Sequence, residues 1–240
     1  MKYVAFHPYP SVTNGYTVKM KALIRKEYEL VEYYEVRAGR IPLEKVGTIY
    51  LNWLENVWTE DDYVFLMKAK SAGVRIVWVF HNRIPHDTNK TEVDNKIKII
   101  KILIELSDSI IIHCKGSMRY LEEYVPHISL KKVQYIPLFN YCNEYGHLTE
   151  DVRQKFNIKE KEFVFAIYGL IKPYKNIELL IEVFERLNLP NSKLLIIGRA
   201  GNKEYFAELK KSIHSANIII QNKYIDNLAM GSYLDAVDIM

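Results

Sequence analysis

Short apolar runs alternate with amphipathic segments along most of the chain. The run at 74–80, VRIVWVF, is almost continuously apolar, as expected for a strand that a parallel sheet buries on both faces. The segment 175–188 instead repeats apolar residues at helical spacing. Strands that alternate with helices predict βαβ units, parallel sheets and right-handed crossovers. We expect strands at 3–6, 32–36, 48–54, 74–80, 109–113, 132–136, 163–168, 193–197 and 217–221. We expect helices at 16–26, 60–72, 93–106, 117–124, 150–156, 175–188, 203–214 and 227–236.

One polar segment, 140–149, interrupts this alternation and has the composition of a linker. We therefore expect an amino-terminal α/β domain over residues 1–143 and a partial carboxy-terminal α/β domain over 144–240. Residues 238–240 have the pattern of a further strand that is only beginning, so the second sheet is expected to be incomplete. An unpaired strand edge at that place predicts self-association.

Composition and charge limit the classes of function. The 240 residues are 49% hydrophobic and 12% aromatic, and 33 basic against 29 acidic residues leave a net charge of +4. This small surplus gives no reason to expect nucleic-acid binding, but it suits contact with phosphates or with an anionic lipid surface. No apolar run reaches the ~18–20 residues that span a bilayer, and the first strand is too short for a signal peptide. Cys114 and Cys142 lack C-x-x-C spacing and suit a reducing compartment. We expect a cytoplasmic protein with peripheral contact at the inner face of the membrane.

The junction between strand 163–168 and the following helix carries the strongest chemical signal. Gly169 is free to adopt turn geometries, and Pro173 fits just before a helix. Lys172 and Lys175 then lie at a helix N-terminus, whose unpaired N–H groups and positive dipole end favour an anion. This arrangement suits a phosphate or diphosphate, and a solvent-exposed basic turn is the alternative. Neither G-x-x-x-x-G-K-[ST] nor G-x-G-x-x-G is present, which disfavours a P-loop and a dinucleotide-dependent oxidoreductase.

The loop 80–87, FHNRIPHD, directly follows the buried strand and is well placed to bind a ligand. Its polar side chains could coordinate a metal or bind a polyhydroxyl ligand, and they are His81, Asn82, His86 and Asp87. Two histidines five residues apart, without a third ligand, are weak evidence for zinc, and ordinary surface histidines are the alternative.

Two further loops have the same placement after a strand. The loop 8–16 contains Asn14 and Gly15, which favour a tight turn with N–H groups that can approach a ligand. It should open on the same edge of the sheet as 80–87. Gly198 ends a strand of the second domain, where a simple turn is the alternative to a ligand contact.

Several other residues have side chains that could bind a ligand or react, but the sequence predicts no partner for them. We interpret His7 and His113 as structural. Trp53 and Trp58 could stack on a sugar, but packing in the core is the better explanation for both.

Together these motifs resemble the GT-B-fold retaining glycosyltransferases of family four. The resemblance covers nearly the whole chain and is most specific at YGLIKPYKNIELLIEVF, then at LLIIGRA, VFHNRIPHD and YLDAVDIM. It implies two Rossmann-like domains facing a cleft, with the acceptor on the first and a nucleotide-sugar on the second. The implied reaction moves a sugar with retention from a UDP- or GDP-sugar to a saccharide or lipid-linked acceptor, as in polysaccharide biosynthesis.

The resemblance also implies roles for particular residues. His81 matches a histidine that contacts the transferred sugar or holds the reaction geometry, and it is the expected catalytic residue. The residues expected to bind the donor are Gly15, Gly169, Lys172, Lys175 and Gly198. The residues expected to bind the acceptor are Asn14, Asn82 and His86. Lysine, arginine and helix N-termini neutralise the leaving diphosphate in this family, so neither a metal nor a cofactor is expected.

Some features depart from the family pattern. Leu170 stands where an arginine commonly follows the glycine, so Lys172 is expected to replace it, and Asn176 stands where glycine is frequent. The acidic E-x7-E element, which holds the donor sugar and ribose, would fall after residue 240. The chain is therefore expected to be a fragment of a longer enzyme. The alternative is a catalytically inactive binding or scaffold module that needs a partner.

Overall fold

The chain divides into two compact units, Met1–Phe139 and Asn140–Met240. The computed structural model describes residues 2–8, 14–81, 90–126, 128, 132–140, 145–146 and 150–240. The division falls a few residues before the expected boundary at 143. Each unit is an α/β structure around its own parallel sheet.

The first unit is built on a six-stranded sheet in the order β2-β1-β3-β4-β5-β6, in which every neighbouring pair is parallel. Its strands are β1 Tyr3–His7, β2 Leu30–Glu32, β3 Val46–Asn52, β4 Arg75–Phe80, β5 Ser109–Ile112 and β6 Val133–Tyr135. Its helices are α1 Gly15–Ile24, α2 Tyr33–Arg37, α3 Glu60–Ser71, α4 Lys90–Leu106 and α5 Ser117–Tyr124. Short 3₁₀ turns lie at Leu43–Lys45 and Leu54–Asn56.

The central strand β4 is buried on both faces, as its continuous apolar pattern predicts. Ile76, Trp78 and Phe80 pack into the larger core of the unit. Val79 belongs to a smaller core on the other face, where Val77 packs against it. Such a strand loses solvent on both sides, which explains why alternation is absent from its sequence.

The prediction of a strand at 32–36 is wrong. The strand there is β2, which ends at Glu32, and the residues that follow form the helix α2. Tyr33 and Val36 are both buried, and their spacing of three residues suits one face of a helical turn. Short apolar runs fit either structure, so local pattern alone does not decide between them.

The second unit contains a three-stranded parallel sheet in the order β7-β8-β9. Its strands are β7 Phe163–Tyr168, β8 Ser192–Gly198 and β9 Ile218–Asn222. Its helices are α6 Val152–Lys155, α7 Ile177–Leu187, α8 Lys203–Ser212 and α9 Asn227–Asp235, and a 3₁₀ turn covers Pro173–Lys175. Ile239 forms a parallel bridge with Phe165 of β7, which agrees with a strand beginning near the end of the sequence.

Apolar side chains cover both faces of the second sheet. Leu195 and Ile197 of β8 face a core completed by α6 and α9. Leu194 and Ile196 face the opposite core, which α7 and α8 complete. Within the described residues, no helix is both long enough and apolar enough to cross a membrane.

Candidate functional site

The glycine turn after β7 has the backbone that the anion hypothesis requires. Gly169 has φ +100°, a conformation that L side chains rarely adopt, and its N–H donates to the Ile197 carbonyl at 3.1 Å. Asn176 is also in the left-handed region, with φ 51°, directly before α7. This explains why glycine suits that position and why asparagine, which tolerates the same region, stands there.

The side chain of Lys175 folds back over this turn. A Cβ built on Gly169 would lie 3.5 Å from Lys175 Nζ, so the ammonium group lies directly beside the glycine. Burial lowers the pKa of Lys175. None of the ion pairs found among the described residues includes this lysine, so its charge is not neutralised there. Lys172 directly precedes the 3₁₀ turn and is half-buried.

The N-terminus of α7 adds backbone donors to the positive charge of Lys175. Its N-cap residue, Asn176, makes no capping bond through its side chain. In the neighbouring helix α8, by contrast, the Asn202 side chain accepts from the N–H groups of Glu204 and Tyr205. The first turn of α7 therefore keeps donors that α8 has already used. Glu178 lies in this first turn and partly offsets its positive end.

Gly198 lies against the same turn, but for a steric reason. A Cβ at this position would stand 1.5 Å from the Gly169 carbonyl oxygen. Only glycine allows the ends of β7 and β8 to approach this closely. The structure thus places Gly198 beside Gly169, and its contact with a donor stays a prediction.

In the first unit, His81 directly follows β4 and is held from several sides. Its Nε2 lies 3.0 Å from Asn52 Oδ1, and its ring stacks on Trp53 with centroids 4.0 Å apart. Tyr16 meets the ring edge-on at 4.9 Å, and His113 lies 5.3 Å away. Burial, with a smaller contribution from His113, lowers the pKa of His81 to about 3. The imidazole is therefore neutral near pH 7.

Several residues around His81 were not predicted to belong to the site. His7 bonds to Asn52, and Tyr16 Oη lies 3.0 Å from His113 Nε2. Trp53, expected in the core, adopts a left-handed backbone with φ 53° and presents its ring to His81. The common signal is position, because all of these residues except Tyr16, which lies in α1, end β1, end or follow β3, or follow β5, at the carboxyl edge of one sheet. Trp58, in contrast, packs against the core as expected.

The remaining predicted site residues lie at or near the start of α1, or in a segment that is not described. Asn14 caps α1, since its Oδ1 accepts from the Thr17 N–H at 3.2 Å, and Gly15 is the first residue of that helix. The carbonyl of Asn14 also accepts from the Thr17 hydroxyl at 3.0 Å. Asn82 and His86 lie outside the described residues. Among the residues that are described, no group of three or more His, Cys, Asp or Glu could hold a metal ion.

Comparison with known proteins finds a family match in the second unit and solved structures with a similar fold. The family model for glycosyl transferases group 1 matches residues 149–240. No curated protein sequence matches the chain.

Solved structures resemble most or all of the chain at low sequence identity. One is Anabaena Alr3699/HepE in complex with UDP and glucose, with a TM-score of 0.67 and 13% identity over 100% of this chain and 73% of that one. A second is a UDP-forming α,α-trehalose-phosphate synthase from Burkholderia vietnamiensis, with a TM-score of 0.57 and 11% identity over 92% and 53% of the two chains. A third is a UDP-N-acetylglucosamine 2-epimerase from Rickettsia bellii, with a TM-score of 0.54 and 12% identity over 95% and 70%.

These likenesses establish an α/β fold of the GT-B kind, with six-stranded and three-stranded parallel sheets. The match to the glycosyl transferases group 1 model lies within the second unit. At such low identity the resemblance of the structures concerns the fold alone.

Proposed function

We propose that the protein is a glycosyltransferase that uses a nucleotide-sugar donor, and that its second unit binds the donor diphosphate. The observation that carries this proposal is the position of Lys175 Nζ beside Gly169, at the uncapped start of α7. A fixed ammonium group and oriented N–H groups stabilise the negative charge that develops on a departing diphosphate. Lys172 is proposed to add a second positive charge to the same site. No metal ion is needed if these groups carry the neutralisation.

The finer features of the proposal follow the family resemblance. We assign retention of configuration, a family-four-like mechanism, and a saccharide or lipid-linked acceptor of the kind used in polysaccharide biosynthesis. His81 is assigned to the transferred sugar, Gly15 and Gly198 to the donor, and Asn14 to the acceptor, with Asn82 and His86. Peripheral contact with the inner face of a membrane and self-association through the second sheet belong to the same proposal.

Calorimetric titration with UDP and GDP tests the donor site in the intact chain. Lys175→Ala removes one charge-assisted hydrogen bond to phosphate, which is worth ~1.5–3 kcal/mol, so the affinity should fall by about tenfold or more. The matched control is Lys210→Ala. Lys210 is exposed to solvent, whereas Lys175 is partly buried, and Lys210 lies in the last turn of α8, at the opposite end from that helix's N-terminus. The control should bind as the wild type does.

Two results would contradict the assignment: no binding of either nucleotide by the wild type, or equal binding by Lys175→Ala.

The epimerase among the structural neighbours suggests a further check, because the fold alone does not separate sugar transfer from epimerisation. Incubation with UDP-sugars, followed by NMR, distinguishes them. Transfer or hydrolysis releases UDP, whereas epimerisation changes the sugar while it is still linked to UDP.

The alternative is a binding module without turnover. It predicts nucleotide binding that is sensitive to Lys175→Ala, but no sugar transfer to any acceptor.

A further inference from the structure

Asn52 connects His81 to the interior of the first unit. The backbone carbonyl of His7 determines which end of the Asn52 side-chain amide donates and which end accepts a hydrogen bond. Asn52 is fully buried at the end of β3. One end of its amide lies 2.9 Å from the His7 carbonyl oxygen, which can only accept a hydrogen bond. That end must therefore be Nδ2, and the opposite end must be the oxygen.

The same reasoning fixes the proton on His81. Its Nε2 lies 3.0 Å from Asn52 Oδ1, which is an acceptor. Nε2 must therefore carry the proton, and a neutral imidazole then has its lone pair on Nδ1. No hydrogen bond made within the described residues uses this Nδ1.

His7 holds Asn52 in place from behind. His7 Nδ1 lies 2.7 Å from the backbone carbonyl oxygen of Asn52, so Nδ1 is the donor. His7 Nε2 lies 3.1 Å from Tyr34 Oη and accepts from it when His7 is neutral. Burial lowers the pKa of His7, which favours that neutral form. The two bonds between His7 and Asn52 lock the ends of β1 and β3 together.

Aromatic packing fixes the plane of the His81 ring. The ring lies almost parallel to Trp53, at an angle of 17°, and almost perpendicular to Tyr16, at 88°. Among the described residues, the titratable side chains whose rings contact this ring are Tyr16 and His113. The left-handed backbone of Trp53 is uncommon for a large side chain and is often found at functional sites.

We propose that Asn52 is a positioning residue that holds His81 in the Nε2–H tautomer, so that Nδ1 is presented as a hydrogen-bond acceptor. This inference rests on the proposed function, in which His81 contacts the transferred sugar. It deepens that function by naming the chemistry His81 recognises. The partner must be a donor, such as a sugar hydroxyl. A phosphate or carboxylate oxygen cannot pair with an unprotonated nitrogen.

The tautomer is measurable without an activity assay. We would label the full chain with ¹⁵N-histidine and record long-range ¹H–¹⁵N correlation spectra between pH 5.5 and 8, assigning His81 by the loss of its signals in His81→Gln. The expected spectrum has a protonated Nε2 and an unprotonated Nδ1 across the whole range. An Nδ1–H tautomer, an average of the two, or titration within this range overturns the inference.

A variant tests the role of Asn52 directly. In Asn52→Asp the new carboxylate stabilises the imidazolium, so the pKa of His81 should rise by about 1–3 units relative to the wild type. For this comparison the spectra of both proteins are extended down to about pH 4, because the wild-type pKa is about 3. The matched control is Asn56→Asp, four residues later, where the exposed side chain accepts a hydrogen bond from Lys96 at 2.7 Å. It should leave the His81 signals unchanged. A folded Asn52→Asp with the wild-type His81 titration contradicts the role of Asn52, and if this variant does not fold, the wild-type spectrum decides.

The outcome is separable from that of the proposed function. The donor diphosphate is assigned to the second unit, and Asn52 is not among the residues assigned to the donor, so Asn52→Asp should bind UDP as the wild type does. Loss of UDP binding in the wild type, with the His81 tautomer as expected, refutes the donor site but not the positioning. UDP binding with the wrong tautomer refutes the positioning alone.

Discussion

Gly198→Ala tests the close approach on which the donor site depends. The added Cβ would lie 1.5 Å from the Gly169 carbonyl oxygen and 2.6 Å from its carbonyl carbon. Both contacts are with backbone, which cannot move aside as a flexible side chain can. Either the turn at Gly169 or the end of β8 must shift.

The expected loss of stability follows from what this shift breaks. The Gly169 N–H donates to the Ile197 carbonyl at 3.1 Å, and the Gly198 carbonyl accepts from the Lys223 N–H at 3.1 Å. Overpacking typically costs about 1–3 kcal/mol, and one lost hydrogen bond costs about 1 kcal/mol. We expect Gly198→Ala to lower the free energy of unfolding by about 2–4 kcal/mol and to weaken UDP binding, because the turn that carries Lys175 is displaced.

Urea unfolding followed by far-UV circular dichroism measures this loss. Tryptophan fluorescence provides a second probe that reports on the first unit, because all three tryptophans lie there. The matched control is Gly201→Ala, three residues later, where a Cβ would have nothing within 4 Å. The control should be unchanged or stabilised by up to about 1 kcal/mol. Gly198→Ala with a stability within about 0.5 kcal/mol of the wild type would refute the steric reasoning.

Two other predictions concern buried titratable groups. His81 has a pKa of about 3 in the folded chain against 6.5 for an exposed histidine, so below pH 6.5 the unfolded chain binds a proton that the folded chain excludes. Stability should therefore fall as the pH drops from 6.5 toward 3, and urea midpoints of His81→Gln should depend less on pH in this window. Asp62 is fully buried, and its Oδ1 lies 2.6 Å from Arg37 Nη1. Asp62→Ala should lower the free energy of unfolding by about 3–5 kcal/mol. The exposed Asp61 beside it should cost less than about 0.5 kcal/mol, and thermal melts giving equal losses for both would contradict this view of the ion pair.

Much of the architecture is predictable from the sequence because it depends on local pattern. The continuous apolar run of β4 predicts a strand buried on both faces, and in the structure its side chains pack into two cores, one on each face of the sheet. The expected helix end at Gly73 is confirmed, because Gly73 has a φ of +76° and follows Ala72, the C-cap residue of α3. The turn from Gly169 to α7 was predictable for the same reason, since its glycine, proline and lysines lie within a few residues of one another.

The surroundings of His81 were not predictable in this way. His7, Asn52 and His81 come from the ends of β1, β3 and β4, which are neighbours only because of the strand order. Residue spacing gives no indication that these ends meet. From the sequence alone, His7 is therefore expected to be structural and Trp53 to pack in the core. The fit of Gly198 against Gly169 likewise depends on the pairing of β7 with β8.

The sequence by itself therefore determined most of the segments that are strands and helices, and which turn carries the lysines. The tertiary structure alone decided that β2 stops at Glu32, which nitrogen of His81 holds the proton, and why position 198 must be glycine. The physical reason is the range of the interactions involved. Periodicity and turn preference act over a few residues, whereas strand pairing and the hydrogen bonds of a buried amide join residues that are distant along the chain.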